Sequence, residues 1–350
     1  MTRFSRRDVL KVSAGFALGA VAARAEAAEP SGVTPALVEA ARREGKVSWY
    51  TSVDLPLAEK VAKAFEAKYP GIAVRVERSG AERIFQRIGQ EYASHIHAVD
   101  VVNSSDASHF ILWKREGWLA AYIPEEVARH YPAEHKDPDG MFATWRAWLS
   151  VIGYNTTLVK PEEAPKSFAD LLDPKWKGKI VKAHPGYSGT ILTATYQISR
   201  DLGWTYLEKL AKQNVMQVQS SADPPKKLAL GERAVMADGN EYNLFQLKEQ
   251  GQPVEIVYPS EGSPMIVGPN GLFADAPSPN AARLLQSFMF STDAQQLIID
   301  VGGLRSMHPL VNEKPGRRPL GEIKVMRDDP AAVEAQAEEI KAHYSRLFRV

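Results

Sequence analysis

The chain has 350 residues, 43 basic and 42 acidic, and no cysteine. Missing thiols exclude disulfides, thiolate metal sites and cysteine nucleophiles together. The near-neutral balance gives no ground for nucleic acid or an anionic membrane as partner, and the length is enough for two α/β lobes of ordinary size.

The first residues carry Ser5-Arg6-Arg7-Asp8-Val9-Leu10-Lys11, then an uncharged Ala- and Gly-rich run from Val12 to Ala23. Small residues follow at Ala25, Ala27 and Ala28. This is the layout of an export signal, and the paired arginines single out the twin-arginine route. Arg24 fits that route because a basic residue there disfavours the competing pathway. The apolar run falls short of the roughly 20 residues that span a bilayer. Residues 1–27 therefore read as a signal peptide cleaved near Ala25–Ala28, which places the mature protein in the periplasm. Cleavage takes five basic and two acidic residues with it, leaving a formal charge of about −2.

A helical lead-in, Pro35 to Glu44, precedes a short apolar strand, Lys46 to Thr51. The stripe Leu57, Val61, Phe65 predicts a helix to Tyr69, where Pro70-Gly71 stops it. A strand over Ile72–Glu77 leads through Ser79-Gly80 to a helix over Ala81–Ser94. A third strand, Val99–Val102, runs into Asn103-Ser104-Ser105-Asp106 and another helix. This βαβ alternation predicts a parallel sheet whose strand ends share one edge. Met141 to Tyr154 is apolar without helical period and reads as a strand leaving the first lobe. Strands over Ile180–Ala183, Val215–Val218, Ala234–Ala237 and Val254–Tyr258 make a second set. Met265 to Phe273 reads as the return crossing, helices follow over Ala281–Phe290 and Asp293–Val301, and the charged terminal helix is expected to pack on the surface. The expected fold is α/β with two lobes, a hinge of two crossing strands and a ligand cleft. Lobe 1 is 46–145 plus 272–350, and lobe 2 is 146–271.

In such a fold, ligands collect where strand ends and helix starts face the cleft. Those junctions hold Thr51-Ser52, Ser79-Gly80, Ser104-Ser105, Tyr187-Ser188-Gly189-Thr190, Ser221 and Asn240-Glu241-Tyr242. Hydroxyls beside glycine at a helix start offer converging N–H groups to an oxyanion, although the same residues are ordinary N-caps. Tyr187 and Tyr242 are the aromatics placed to stack on or coordinate the rest of a ligand. His95-x-His97 lies at a turn away from the cleft. Gly186-Tyr187-Ser188-Gly189-Thr190 lacks the final glycine of a hydrolase elbow, and no phosphate-cradling or dinucleotide motif occurs.

The segments Gly45-Lys46-Val47-Ser48-Trp49-Tyr50-Thr51-Ser52, Ala98-Val99-Asp100-Val101, Leu172-Asp173-Pro174-Lys175-Trp176-Lys177-Gly178-Lys179-Ile180 and Ser188-Gly189-Thr190, in this order, resemble a known family. They are similar to periplasmic solute-binding proteins of ABC importers, in the ferric-iron-binding branch of the type II fold. Other receptors of that branch take thiamine, sugar phosphates or aminoethylphosphonate. The resemblance implies a binding protein without a required cofactor, monomeric, handing a small anionic solute to an inner-membrane ABC permease. Its ligand set would be Thr51, Ser52, Ser79, Ser104, Ser105, Tyr187, Ser188, Gly189, Thr190, Ser221, Asn240 and Tyr242. Iron receptors of the branch use a histidine, a glutamate and two adjacent tyrosines, whose positions fall near Asp54, on Ser105 and on Glu241-Tyr242. Fe(III) as transported ligand would have Asp54, Asp106, Glu241 and Tyr242 as its hard oxygen donors. An exported enzyme and a sensory receptor using the same cleft are the readings from other classes.

Overall fold

In the computed structural model, residues 30–350 are described, and the signal segment read over 1–27 lies outside them. The strands Lys46–Thr51 and Ala73–Arg78 pair in parallel along their whole length, with Trp49 opposite Val76. Val101–Asn103 joins on the other side of Lys46–Thr51, again in parallel. The sheet continues antiparallel into Ser263–Phe273, which Phe142–Leu149 also pairs. Alternation sends Trp49 and Tyr50 to opposite faces. Both are buried, Trp49 edge-on to Trp145 at 5.7 Å and Tyr50 in a second cluster with Ile84, Ile88 and Phe110. A sheet covered on both faces explains why this strand has no exposed aromatic.

The second sheet has the order Met216–Val218, Ile180–Ala183, Val235–Met236, Ile152–Asn155, Val254–Val257. Its first three strands are parallel and the last two run against their neighbours. The apolar stretch expected as one crossing strand is split in two. Phe142–Leu149 belongs to the first sheet and Ile152–Asn155 to the second. Between them Ser150 donates its N–H to the Pro264 carbonyl and Val151 donates to Gly239. One residue thus bonds toward each side of the crossing, and the chain changes sheets there. Ser263–Phe273 brings it back beside its own outward path, with Met265 opposite Leu149.

The terminal helix Pro330–Phe348 departs from the expected surface packing. It buries Val333, Ile340 and Tyr344. Val333 and Ile340 pack with Leu192 and Tyr196 of the helix Gly189–Leu202, while Arg115 and Glu82 of the first lobe pair with its Glu334 and Lys341. Its charges hid a narrow apolar stripe that packs on the second lobe, while ion pairs tie its polar side to the first. Among the described residues, no helix is long and apolar enough to cross a membrane.

Candidate functional site

Parallel pairing sends the ends of Lys46–Thr51, Ala73–Arg78 and Val101–Asn103 to one edge, and the second sheet presents the ends of Ile180–Ala183 and Met216–Val218 to the same gap. Ser52, Ser105, Tyr187, Ser188 and Ser221 meet there around a cavity of about 110 Å³, with Arg78, Arg83, Gln219 and Ser220. Next to it, sharing Arg78 and Ser220, a cavity of about 670 Å³ holds Asp54 and Tyr242 with Lys60, Arg146, Asp223, Lys226, Asn243 and Gln246. The gap is closed in part by direct contact. The Asn243 amide donates to Asp54 Oδ2 at 3.2 Å. A Cβ placed on Gly189 would stand 2.6 Å from the Asp106 Cβ and 3.2 Å from the Ser105 carbonyl oxygen.

Arg146 dominates the electrostatics. It sits on the crossing strand Phe142–Leu149 with a fully buried side chain. Its Nε donates to Asn103 Oδ1 at 3.0 Å and its Nη2 to Ser52 Oγ at 3.1 Å, and the guanidinium lies 4.5 Å over the Trp148 ring. Among the described residues it has no carboxylate at ion-pair distance. Burial lowers its pKa to about 10, which still leaves it charged at neutral pH. Arg78 donates to the Val53 carbonyl and reaches Asp54 Oδ1 at only 3.7 Å. The two cavities together are lined by five basic and two acidic side chains. Burial and then the Asp54 charge push the Tyr242 phenol well above its ordinary pKa, against the opposing pull of Arg146 and Arg78. The phenol therefore stands protonated, and its oxygen accepts from Asn240 Nδ2 at 3.1 Å.

A family model described as bacterial extracellular solute-binding protein matches residues 98–317, more than half of the chain. The chain belongs to that family. A putative 2-aminoethylphosphonate-binding periplasmic protein of Salmonella typhimurium is 29% identical to this binding protein over 248 residues, covering 67% of this chain and 69% of the relative. Iron uptake protein A1 of Synechocystis is 23% identical over 322 residues, 85% of each chain. Among solved structures, the periplasmic binding protein AfuA of Actinobacillus pleuropneumoniae with fructose-6-phosphate superposes with a TM-score of 0.80 at 23% identity, over 87% of this chain and 99% of that one. Iron-bound HitA of Pseudomonas aeruginosa does so with a TM-score of 0.75 at 22% identity, over 86% and 99%. These likenesses establish the type II periplasmic-binding fold.

The residues picked from the sequence divide into those that reach the cavities and those that do not. Thr51 is wholly buried and its Oγ1 accepts from the Val53 N–H. Ser104 Oγ accepts from the Asp106 N–H and faces His109. Ser79 donates its N–H to the Thr51 carbonyl. Asn240 lies behind the wall, its amide facing Ser221 Oγ, Tyr242 and Asn243. Gly189 and Thr190 line neither cavity; the backbone approach that Gly189 permits is made by the opposite lobe. Only Ser188 of that trio faces the gap, and its Oγ also caps the helix Gly189–Leu202 by accepting from the Ile191 N–H at 3.4 Å.

The four oxygen donors considered for Fe(III) are not brought together. Asp54 and Tyr242 share the larger cavity, but Asp106 turns to His109 and Ser108. Glu241 is sealed between Arg305 and Arg317, at 2.7 and 2.5 Å, with the Tyr258 hydroxyl donating to it at 2.6 Å. Burial opposes its ionisation, yet the two guanidiniums outweigh burial and hold the carboxyl below its ordinary range.

Lys60, Arg78, Arg83, Arg146 and Lys226 were missed. Two of them carried a readable signal. Arg146 is the lone charge in the apolar run Phe142-Ala143-Thr144-Trp145-Arg146-Ala147-Trp148-Leu149, and Arg78 directly precedes the Ser79-Gly80 junction. A charge in a strand buried on both faces needs a partner, and the sequence supplies none nearby.

Proposed function

We propose that this protein is the periplasmic substrate-binding component of an ABC importer. It captures a small solute bearing a phosphate, phosphonate or carboxylate group and presents it to a membrane permease. The observation that carries this reading is Arg146, a buried guanidinium in the cleft that lacks a carboxylate. A buried cation is costly unless paired, and an anionic ligand is the partner that completes it. Arg146 lines the larger cavity and donates to Ser52, which opens on the smaller one, so the oxyanion lies at their junction beside Arg78, where the Ser105, Ser188 and Ser221 hydroxyls and Arg83 supply further donors. The larger cavity accepts the remainder of the solute between Tyr242, Asn243 and the Asp54 carboxylate. The names of the phosphonate-binding relative and the fructose-6-phosphate complex agree with this chemistry.

The protein is exported by the twin-arginine route, and the lobe that carries the second sheet closes on the lobe that carries the first. Closure follows because donors from both lobes reach one ligand only when the gap shuts. Iron transport has the iron-binding relatives in its favour, but Glu241 is committed to Arg305 and Arg317 and Asp106 turns to His109 and Ser108, so of the four donors considered Asp54 and Tyr242 alone line the larger cavity. The test is calorimetric titration of the mature protein with inorganic phosphate, 2-aminoethylphosphonate, fructose 6-phosphate, citrate and Fe(III). An organophosphorus or carboxylate ligand binding in the micromolar range or tighter supports the reading. Binding of Fe(III) alone, with a phenolate-to-metal absorption band, overturns it.

A further inference from the structure

Behind the cleft wall, Glu82, Asp106 and His109 bring one ligand atom each within 4.8 Å of one another, all three residues buried. His109 Nε2 stands 3.2 Å from Glu82 Oε1 and 3.5 Å from Asp106 Oδ2. A tetrahedral site with metal–ligand bonds of about 2.0–2.1 Å has edges of about 3.4 Å, so both spacings fit one ion. Asp106 Oδ2 is the independent sign. Its side chain is wholly buried, the oxygen has no hydrogen-bond partner, and it is aimed at the imidazole.

The surrounding groups hold each donor as a ligand would be held. Asp106 Oδ1 is engaged by the Ser108 N–H at 2.9 Å and hydroxyl at 2.5 Å, which leaves Oδ2 free. Glu82 Oε2 takes Lys341 Nζ at 3.0 Å, which leaves Oε1 to face His109. The imidazole lies flat on Phe85 at 4.3 Å, and its Nδ1 is 3.3 Å from Ser104 Oγ. A ring that donates from Nδ1 turns its Nε2 lone pair toward the two carboxylates. A cavity of about 200 Å³ adjoins the cluster and contains Glu334, Glu338 and Lys341 of the terminal helix. It offers an entry path and room for water as fourth ligand.

The geometry points to a structural site for a divalent transition metal of the Zn²⁺ class, held by Glu82 Oε1, Asp106 Oδ2 and His109 Nε2. On binding, the ion replaces any proton on Nε2, which passes to solvent, and two carboxylates balance its charge. The site joins the first turns of the helices Ala81–Ala93 and Ser108–Arg115. Ala81 and Ser105, the sequence neighbours of two ligands, line the smaller cleft cavity. The ion would therefore brace the wall against which the solute binds, without touching the solute.

The experiment uses chelator-stripped mature protein titrated with ZnCl₂ and, separately, CoCl₂. One equivalent should bind, with a rise in melting temperature and visible Co²⁺ bands of low-symmetry tetrahedral intensity. His109→Gln and Asp106→Asn should each weaken binding at least tenfold, whereas Arg146→Met should leave it unchanged. Lys341→Met removes a positive charge that repels an incoming cation from beside the site, without touching the ligand atom Glu82 Oε1, and should tighten binding; this variant speaks even if a ligand variant fails to fold. No stoichiometric Zn²⁺ binding, undiminished affinity in the folded His109→Gln protein, or weaker binding in Lys341→Met would overturn the assignment.

Discussion

Two groups of buried arginines lie near the crossing strands, and they are treated in opposite ways. Arg305 and Arg317 converge on Glu241, with Tyr258 completing the carboxylate's partners. Arg146, just as deeply buried, meets only an amide oxygen, a serine hydroxyl and an indole face. A satisfied network specifies one packing, whereas a cation given neutral acceptors remains available to an anion that arrives later. The first group belongs to the scaffold and the second to the ligand.

The sharpest way to break that contrast is to unbalance each side. Glu241→Gln leaves the buried Arg317 without a carboxylate, while Arg305 keeps Glu313, and should cost about 3–5 kcal/mol of stability, read by urea denaturation. Solute affinity of the molecules that remain folded should be unaffected. The same residue sets an acid limb. Its folded pKa lies below the ordinary 4.5, so its contribution is complete above about 4.5 and is lost as pH falls through the depressed folded value. A pH series of melting temperatures should show this limb in the wild type and flatten it in Glu241→Gln.

Arg146→Met should do the reverse. Relief from an unpaired buried charge offsets the acceptor orphaned at Asn103, so stability should move by about 1 kcal/mol or less. Affinity for the anionic solute should fall by about 2–5 kcal/mol, the usual loss when one member of a buried charged pair is removed. Calorimetry on the purified variant gives both numbers. Intact affinity would mean that the ligand's charge rests elsewhere.

Gly189→Ala tests the contact between lobes. Its new Cβ would meet Asp106 and the Ser105 carbonyl, and backbone cannot yield as a flexible side chain would. Overpacking of this kind costs about 1–3 kcal/mol. Here the cost falls on the closed form alone, so affinity should drop by about 5- to 150-fold while the melting temperature without solute stays put. Small-angle scattering should show a variant that remains more open with solute present.

Most strands and the two crossing segments were legible in chain position because each sheet announces itself by short apolar runs broken at Gly, Pro and Ser, although the first crossing divides into two strands. Ser52, Ser105, Ser188 and Ser221 were legible as strand-end hydroxyls. The errors have a common cause: position in sequence tells which edge a residue occupies, not which way it turns. Thr51 and Ser52 are neighbours on one strand end, and alternation sends one into the core and the other toward Arg146. Glu241 and Tyr242 differ likewise, one absorbed by arginines that lie 64 and 76 residues away. The terminal helix misled for another reason. Its buried stripe is only Val333, Ile340 and Tyr344, and charged residues crowd both margins.

The smallest expected effect concerns Ser188, where scaffold and ligand roles meet in one hydroxyl. Its Oγ caps a fourteen-residue helix and also faces the smaller cavity. Ser188→Ala should cost about 1 kcal/mol through the lost cap, whereas glycine at an N-cap costs only a few tenths. Both substitutions remove the same donor from the cavity. If affinity falls to a similar degree in both while stability falls only in the alanine variant, the hydroxyl touches the solute. If affinity instead follows stability, unchanged in Ser188→Gly, the hydroxyl serves the helix alone, and Arg78, Arg83 and Ser52 carry the anion.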